Sequence, residues 1–134
     1  MSDPIYIYNP SASPQTGVNT GEYGATLQVK PKPKGAGRSV GVTEENILVT
    51  FNGTWGSATI KFYLSGRNES PMSWKPAQVL DPSAGTLSDA VASADGSITL
   101  TLPSGTYFTA KITDTASPFS HSITVDALGE IQAV

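Results

Sequence analysis

Acyl-transfer chemistry needs a serine beside a base, and the chain offers one histidine for that work, His121, within Ser120-His121-Ser122. No glycine-flanked serine elbow accompanies it. The residue is expected at the start of a strand, as a surface or turn histidine. Glycoside hydrolysis needs two facing carboxylates. The candidates Asp81, Asp89, Asp95, Asp114 and Asp126 are scattered over turns and strand ends, where an aspartate side chain ordinarily mimics a turn hydrogen bond. One histidine and no cysteine exclude a multi-histidine or thiolate zinc site and a disulfide framework. Calcium needs six to eight oxygens, and no D-x-D-x-D string supplies them. The glycines fall between strands rather than at helix starts, so no phosphate cradle forms. The expectation is a protein that is not an enzyme and carries no metal or cofactor.

Residues suited to binding are easier to find. Trp55, Trp74 and Tyr63 have the flat faces that stack on sugar rings, and Arg67 adds a charged contact beside Trp74 and Tyr63. Lys30, Lys32, Lys34 and Arg38 place four positive charges within nine residues. They suit an acidic protein surface, or simply keep a solvated segment extended. Nucleic acid is not the expected partner, because 11 Asp+Glu outnumber 8 Lys+Arg and the net charge is -3. Ile5-Tyr6-Ile7-Tyr8 is an apolar run that must pair with something, since an isolated strand is unstable in water. It can become an edge strand of its own domain or add to the sheet of a neighbour.

The elements that must carry these residues follow from periodicity. With 134 residues the chain is long enough for one domain of ordinary size. Residues 1–46 are rich in Gly, Pro, Ser and Thr and read as an extended N-terminal arm with one or two short strands. One is Ile5–Tyr8 and the other lies within Ala25–Lys30. Lys30-Pro31-Lys32-Pro33-Lys34 cannot enter a sheet interior, because proline lacks the amide donor. From Ile47 the pattern changes. Strands are predicted over 47–51, 58–64, 74–80, 97–102, 107–113, 121–125 and 131–134. Ile98, Leu100 and Leu102 share one face, as a period of two requires. Asn52-Gly53 and Asp95-Gly96 read as turns. Residues 83–94 fit a helical turn, a loop or a short strand. About seven short strands with closely spaced turns predict an all-β fold: an antiparallel Ig-like β-sandwich over 47–134.

Phe51-Asn52-Gly53-Thr54-Trp55-Gly56-Ser57-Ala58-Thr59 and the later Leu102-Pro103-Ser104-Gly105-Thr106-Tyr107 resemble phrases of small β-sandwich proteins from tailed bacteriophages. The likeness spans roughly residues 47–126. The companion phrase with a second tryptophan is altered here to Gly66-Arg67-Asn68-Glu69-Ser70-Pro71-Met72-Ser73-Trp74. The resemblance implies a virion accessory protein: a capsid decoration or cement protein, a head fibre, or a tail or neck attachment. It also implies a structural role without chemistry. The partners would be other virion proteins, the major capsid protein first among them, or further copies of the chain in an oligomer or lattice. The expected contacts are Ile5, Tyr6, Ile7 and Tyr8 with Lys30, Lys32, Lys34 and Arg38. A sugar-binding module used in host attachment is the alternative. No apolar run of 18 residues spans a membrane. Met1-Ser2-Asp3-Pro4 lacks the basic start and apolar core of a signal peptide, so a protein made in the host cytoplasm without classical secretion is expected, and the resemblance implies the virion as its location.

Overall fold

Period-two alternation becomes a set of antiparallel sheets in the computed structural model, which describes residues 4–9, 23–31, 44–69, 72–81, 85–115 and 121–134. The strands are β1 (Ile5–Tyr8), β2 (Leu27–Val29), β3 (Glu44–Thr54), β4 (Thr59–Ser65), β5 (Lys75–Pro76) and β6 (Gln78–Asp81). They continue with β7 (Thr86–Asp89), β8 (Val91–Ala92), β9 (Gly96–Pro103), β10 (Tyr107–Thr113), β11 (Ser122–Leu128) and β12 (Ile131–Ala133). One sheet runs β1-β11-β3-β9. The second runs β12-β2-β10-β4-β5, with β8 also paired to β4, and β6-β7 form a separate ribbon. Six of the seven strands expected after residue 46 are present; the seventh, over 74–80, is divided at Ala77 into β5 and β6, which join different sheets, and the ambiguous stretch supplies β7 and β8.

The two larger sheets share one core. Ile47, Val49 and Phe51 point inward from β3, Ile123, Val125 and Ala127 from β11, and Leu100 and Leu102 from β9. Ile60 and Phe62 from β4 meet Phe108, Ala110 and Ile112 from β10. Each large aliphatic or aromatic side chain so buried stabilises the fold by about 1.5–3 kcal/mol relative to exposure. The intervening residues, such as Thr50, Thr99 and Lys61, face outward, so the alternation in sequence becomes a sandwich-like division of faces.

The N-terminal segments depart from expectation. Rather than standing apart as an arm, β1 joins the first sheet through Ile5↔Ala127 and Tyr6↔Asp126, and β2 sits inside the second sheet between β12 and β10. Ile7, Tyr8, Leu27 and Val29 are core residues. The Tyr8 hydroxyl donates to the Ala110 carbonyl of the opposite sheet at 2.7 Å. That carbonyl also accepts from the Gly24 amide at 2.9 Å, and the Ala25 amide donates to the Ile7 carbonyl at 3.1 Å. This corner closes one side of the core. The physical reason is economical: four apolar residues and their backbone groups find partners on their own chain, and a long polar connection costs little extra loop entropy.

A second departure concerns Asn52-Gly53. The dipeptide does not end its strand; β3 continues to Thr54, and Gly53 pairs with Ile123. The turn falls at 55–58 instead, where the Ala58 amide donates to the Trp55 carbonyl at 2.8 Å.

Candidate functional site

The outer face of the second sheet carries an aromatic and cationic cluster. On β4 and β10, Lys61, Tyr63, Thr109 and Lys111 alternate with core residues and so face away from the core. Tyr63 is nevertheless only 9% exposed, because other rings cover it. Tyr23, joined to Lys111 by an isolated bridge, meets Tyr63 edge-on with centroids 5.3 Å apart. Trp74, in the segment leading into β5, lies against Tyr23 at 5.7 Å with a 37° tilt. The Lys111 ammonium sits 4.8 Å from the Tyr23 centroid and 5.0 Å from that of Tyr63, within cation–π range. Lys111 and Lys61 are directly opposite across the ladder, a repulsive placement. The rings take up one charge, and Lys61 leans to Asp89 at 3.9 Å. Tyr23 remains 41% exposed.

Beyond the end of β4 lies an open cleft of about 540 Å³, lined among others by Arg67, Glu69, Ser73, Lys75, Pro103 and Thr106. Ser73 and Lys75 flank Trp74 in sequence, so the aromatic cluster and the cleft adjoin. Ser65 anchors the turn into this loop: its hydroxyl donates to the Arg67 carbonyl at 2.8 Å. The cleft combines both signs of charge with hydroxyls, and the neighbouring face supplies flat apolar rings.

The other expected residues are dispersed. Ile7 and Tyr8, expected at a partner surface, are buried, and Ile5 packs against the core. Tyr6 alone of that run is exposed. Lys30 is half-buried beside β2, its amide donating to the Glu130 carbonyl at 2.9 Å. Lys32, Lys34 and Arg38 lie outside the described residues. Of the proposed sugar contacts, Trp74 and Tyr63 come together, Arg67 lines the adjoining cleft, and Trp55 does not join them. Trp55 packs edge-on against Phe51 with centroids 6.0 Å apart. Its indole N–H donates to Asp95 Oδ1 at 2.6 Å, and the same oxygen accepts from the Gly53 amide at 3.0 Å. Asp95 thereby ties the β3–β4 turn to the start of β9. Asp95→Ala is expected to cost about 1–2 kcal/mol in thermal or denaturant unfolding, the value of two exposed hydrogen bonds to a charged acceptor. Asp95→Asn should recover part of it.

Tyr23 and Lys111 were not legible as site residues. Tyr23 follows a run of small polar residues, and a lone aromatic there was its only signal. His121 is half-buried immediately before β11. Asp114 is buried and accepts a short hydrogen bond from the Ser57 hydroxyl, a structural role at the mouth of β4. Among the described residues, no three His, Cys, Asp or Glu side chains gather as a metal site, and no helix is long and apolar enough to cross a membrane.

Asp126 lies outward on β11 between Tyr6 and Thr50. Burial raises its carboxyl above the usual range, and a backbone hydrogen bond opposes this in part. A carboxyl raised in the folded state favours folding when protonated. That contribution is complete below the unfolded value, ~3.9, and is lost as pH rises through the folded one. Asp126→Asn should therefore melt at or above the parent at pH 7, and the two should converge near pH 3. A variant that melts below the parent at pH 7 would contradict this.

Comparison of the chain with known protein families, curated proteins and solved structures returns no match.

Proposed function

We propose that the chain is a non-enzymatic accessory protein of a tailed-phage particle, an Ig-like β-sandwich that decorates the capsid by docking on the major capsid protein. The observation that carries this reading is the aromatic and cationic face of Tyr23, Tyr63, Trp74 and Lys111 beside the Arg67–Lys75 cleft. Trp, Tyr and Arg are the side chains that dominate protein interfaces, and Trp74, Tyr23 and the cleft's Arg67 supply all three here. Two further features support it. Consecutive strands β3 and β4 lie in opposite sheets, as do β9 and β10, and the pairings β3·β9 and β4·β10 lock them as in Ig-like sandwiches. The phage-like phrases coincide with the turn at 55–58 and the turn before β10, the two corners between sheets. In this reading β1 and β2 serve the fold, and docking passes to Trp74 and the loop that precedes it. Attachment to the tail or neck would use the same face on another partner.

The test uses gradient-purified particles of a phage that encodes the chain. Mass spectrometry should find the protein at a stoichiometry fixed relative to the shell. Trp74→Ala combined with Tyr23→Ala should reduce its occupancy at least tenfold, about 1.4 kcal/mol or more, while the isolated protein loses some melting temperature but still unfolds as a cooperative folded domain. Particles that lack the chain, or wild-type occupancy by the double variant, would sink the proposal.

A carbohydrate-binding module is the second reading, favoured by the Tyr23–Trp74 pair and the polar cleft at its edge. The 37° tilt between those rings breaks the flat platform that a sugar face prefers, so the docking reading ranks first. Binding of the full chain on a glycan array, lost in Trp74→Ala, would reverse that order.

A further inference from the structure

A different part of the molecule has an unfinished edge. Strand β9 pairs with β3 residue by residue over its whole length, from Glu44↔Pro103 to Phe51↔Gly96, without a shift in register. Among the described residues, no strand pairs with its other edge. An edge of this length is normally guarded by a charge, an internal proline or a bulge. Here Ser97-Ile98-Thr99-Leu100-Thr101-Leu102 contains none of the three.

The space beside that edge is bounded on its far side by β6. β5 and β8 pair with β4 at successive positions, Tyr63–Leu64 and Ile60–Lys61, and the β6–β7 ribbon lies between them in the chain; among the described residues β6 pairs only with β7. Between β6 and β9 lies a groove of about 350 Å³. Both walls are strand edges. Ala77, Val79, Leu100 and Leu102 give the groove an apolar side; Gln78, Thr99 and Thr101 give it a polar one. Among the described residues, no charged side chain lines it.

We propose that this groove takes one extended segment of a partner protein, added as a strand against β9, and that the segment is uncharged with aliphatic residues at alternate positions. Each feature of the groove selects that occupant. The backbone groups on the outer edge of β9, which no strand takes up among the described residues, suit a strand's amides and carbonyls. The apolar wall takes every second side chain, and the hydroxyl and amide wall faces the others. The uncharged lining leaves a buried charge without a partner, which excludes charged segments. A second copy of the chain pairing through its own β9 is the competing occupant that the test below separates. A single arm or tail fits between the walls. The inference uses a surface separate from the Trp74 face and does not rest on the phage reading.

The probe is a capped peptide, acetyl-Thr-Val-Thr-Val-Thr-Val-Thr-amide, titrated into the isotopically labelled full chain. Saturable amide shifts are expected along β9 and β6, with slowed hydrogen exchange of β9 amides. Val79→Lys places a charge in the groove from a half-buried position on β6 and should weaken binding at least tenfold. Trp74→Ala should leave it unchanged, which separates this site from the docking face. The shift map on the unaltered protein stands even if Val79→Lys proves unstable. Absence of binding at millimolar peptide, shifts located elsewhere, or sedimentation showing a dimer that occupies the β9 edge would each overturn the proposal.

Discussion

Tyr8→Ala is expected to destabilise the protein by about 3–5 kcal/mol, the range for removing a buried aromatic side chain. In thermal unfolding this corresponds to a drop of roughly 10–20 °C for a domain of this size. Tyr8 is 1% exposed, packs between the two sheets and bonds across them to Ala110. Tyr8→Phe keeps the ring and loses only the hydroxyl. Its cost should be about 1 kcal/mol, because the Ala110 carbonyl retains the Gly24 amide as donor and is not left unsatisfied. The ordering of the two variants is diagnostic. If the first residues were a free arm, both substitutions would leave the melting temperature unchanged and alter only partner binding. A flat response to Tyr8→Ala would therefore refute the placement of β1 in the core.

Gly53→Ala is expected to be comparably severe, about 2–6 kcal/mol, from two sources. The residue has φ of 142°, a conformation that L side chains rarely adopt, worth about 1–3 kcal/mol of strain. An added Cβ would also lie 2.0 Å from the Ser122 carbonyl oxygen and 3.0 Å from Ile123 Cα. Both are backbone atoms of β11, held by the ladder, so neither can move aside without breaking strand pairing. Overpacking of this kind typically adds about 1–3 kcal/mol. Gly66→Ala is the control: nothing lies within 4 Å of the added carbon there, and the melting temperature should hold. Equal behaviour of the two variants in chemical denaturation would show that β11 does not approach β3 as closely as described.

These two positions show where local sequence stops being informative. Asn52-Gly53 carries the composition of a hairpin turn, and a turn was the natural reading. The glycine instead lets β11 pass close to β3, and that need exists only once the two strands are paired. Ile5–Tyr8 likewise carries the pattern of a strand but not the identity of its neighbour. The same four residues would satisfy an edge of their own sheet or an edge of another protein equally well on local grounds. The aromatic cluster is further out of reach, because Tyr23, Tyr63, Trp74 and Lys111 belong to distant parts of the chain and meet only across β4 and β10.

What the amino-acid sequence determined by itself was the kind of element and its buried face. Alternation at Ile47, Val49 and Phe51, at Ile98, Leu100 and Leu102, and at Phe108, Ala110 and Ile112 requires strands with one apolar side, since a period of two matches the pleat and no helix. The tertiary structure alone decided which strands are neighbours, which edge is left open and which outward rings touch. Those choices depend on satisfying backbone groups and apolar surface over the whole molecule at once, and no window of adjacent residues contains that information.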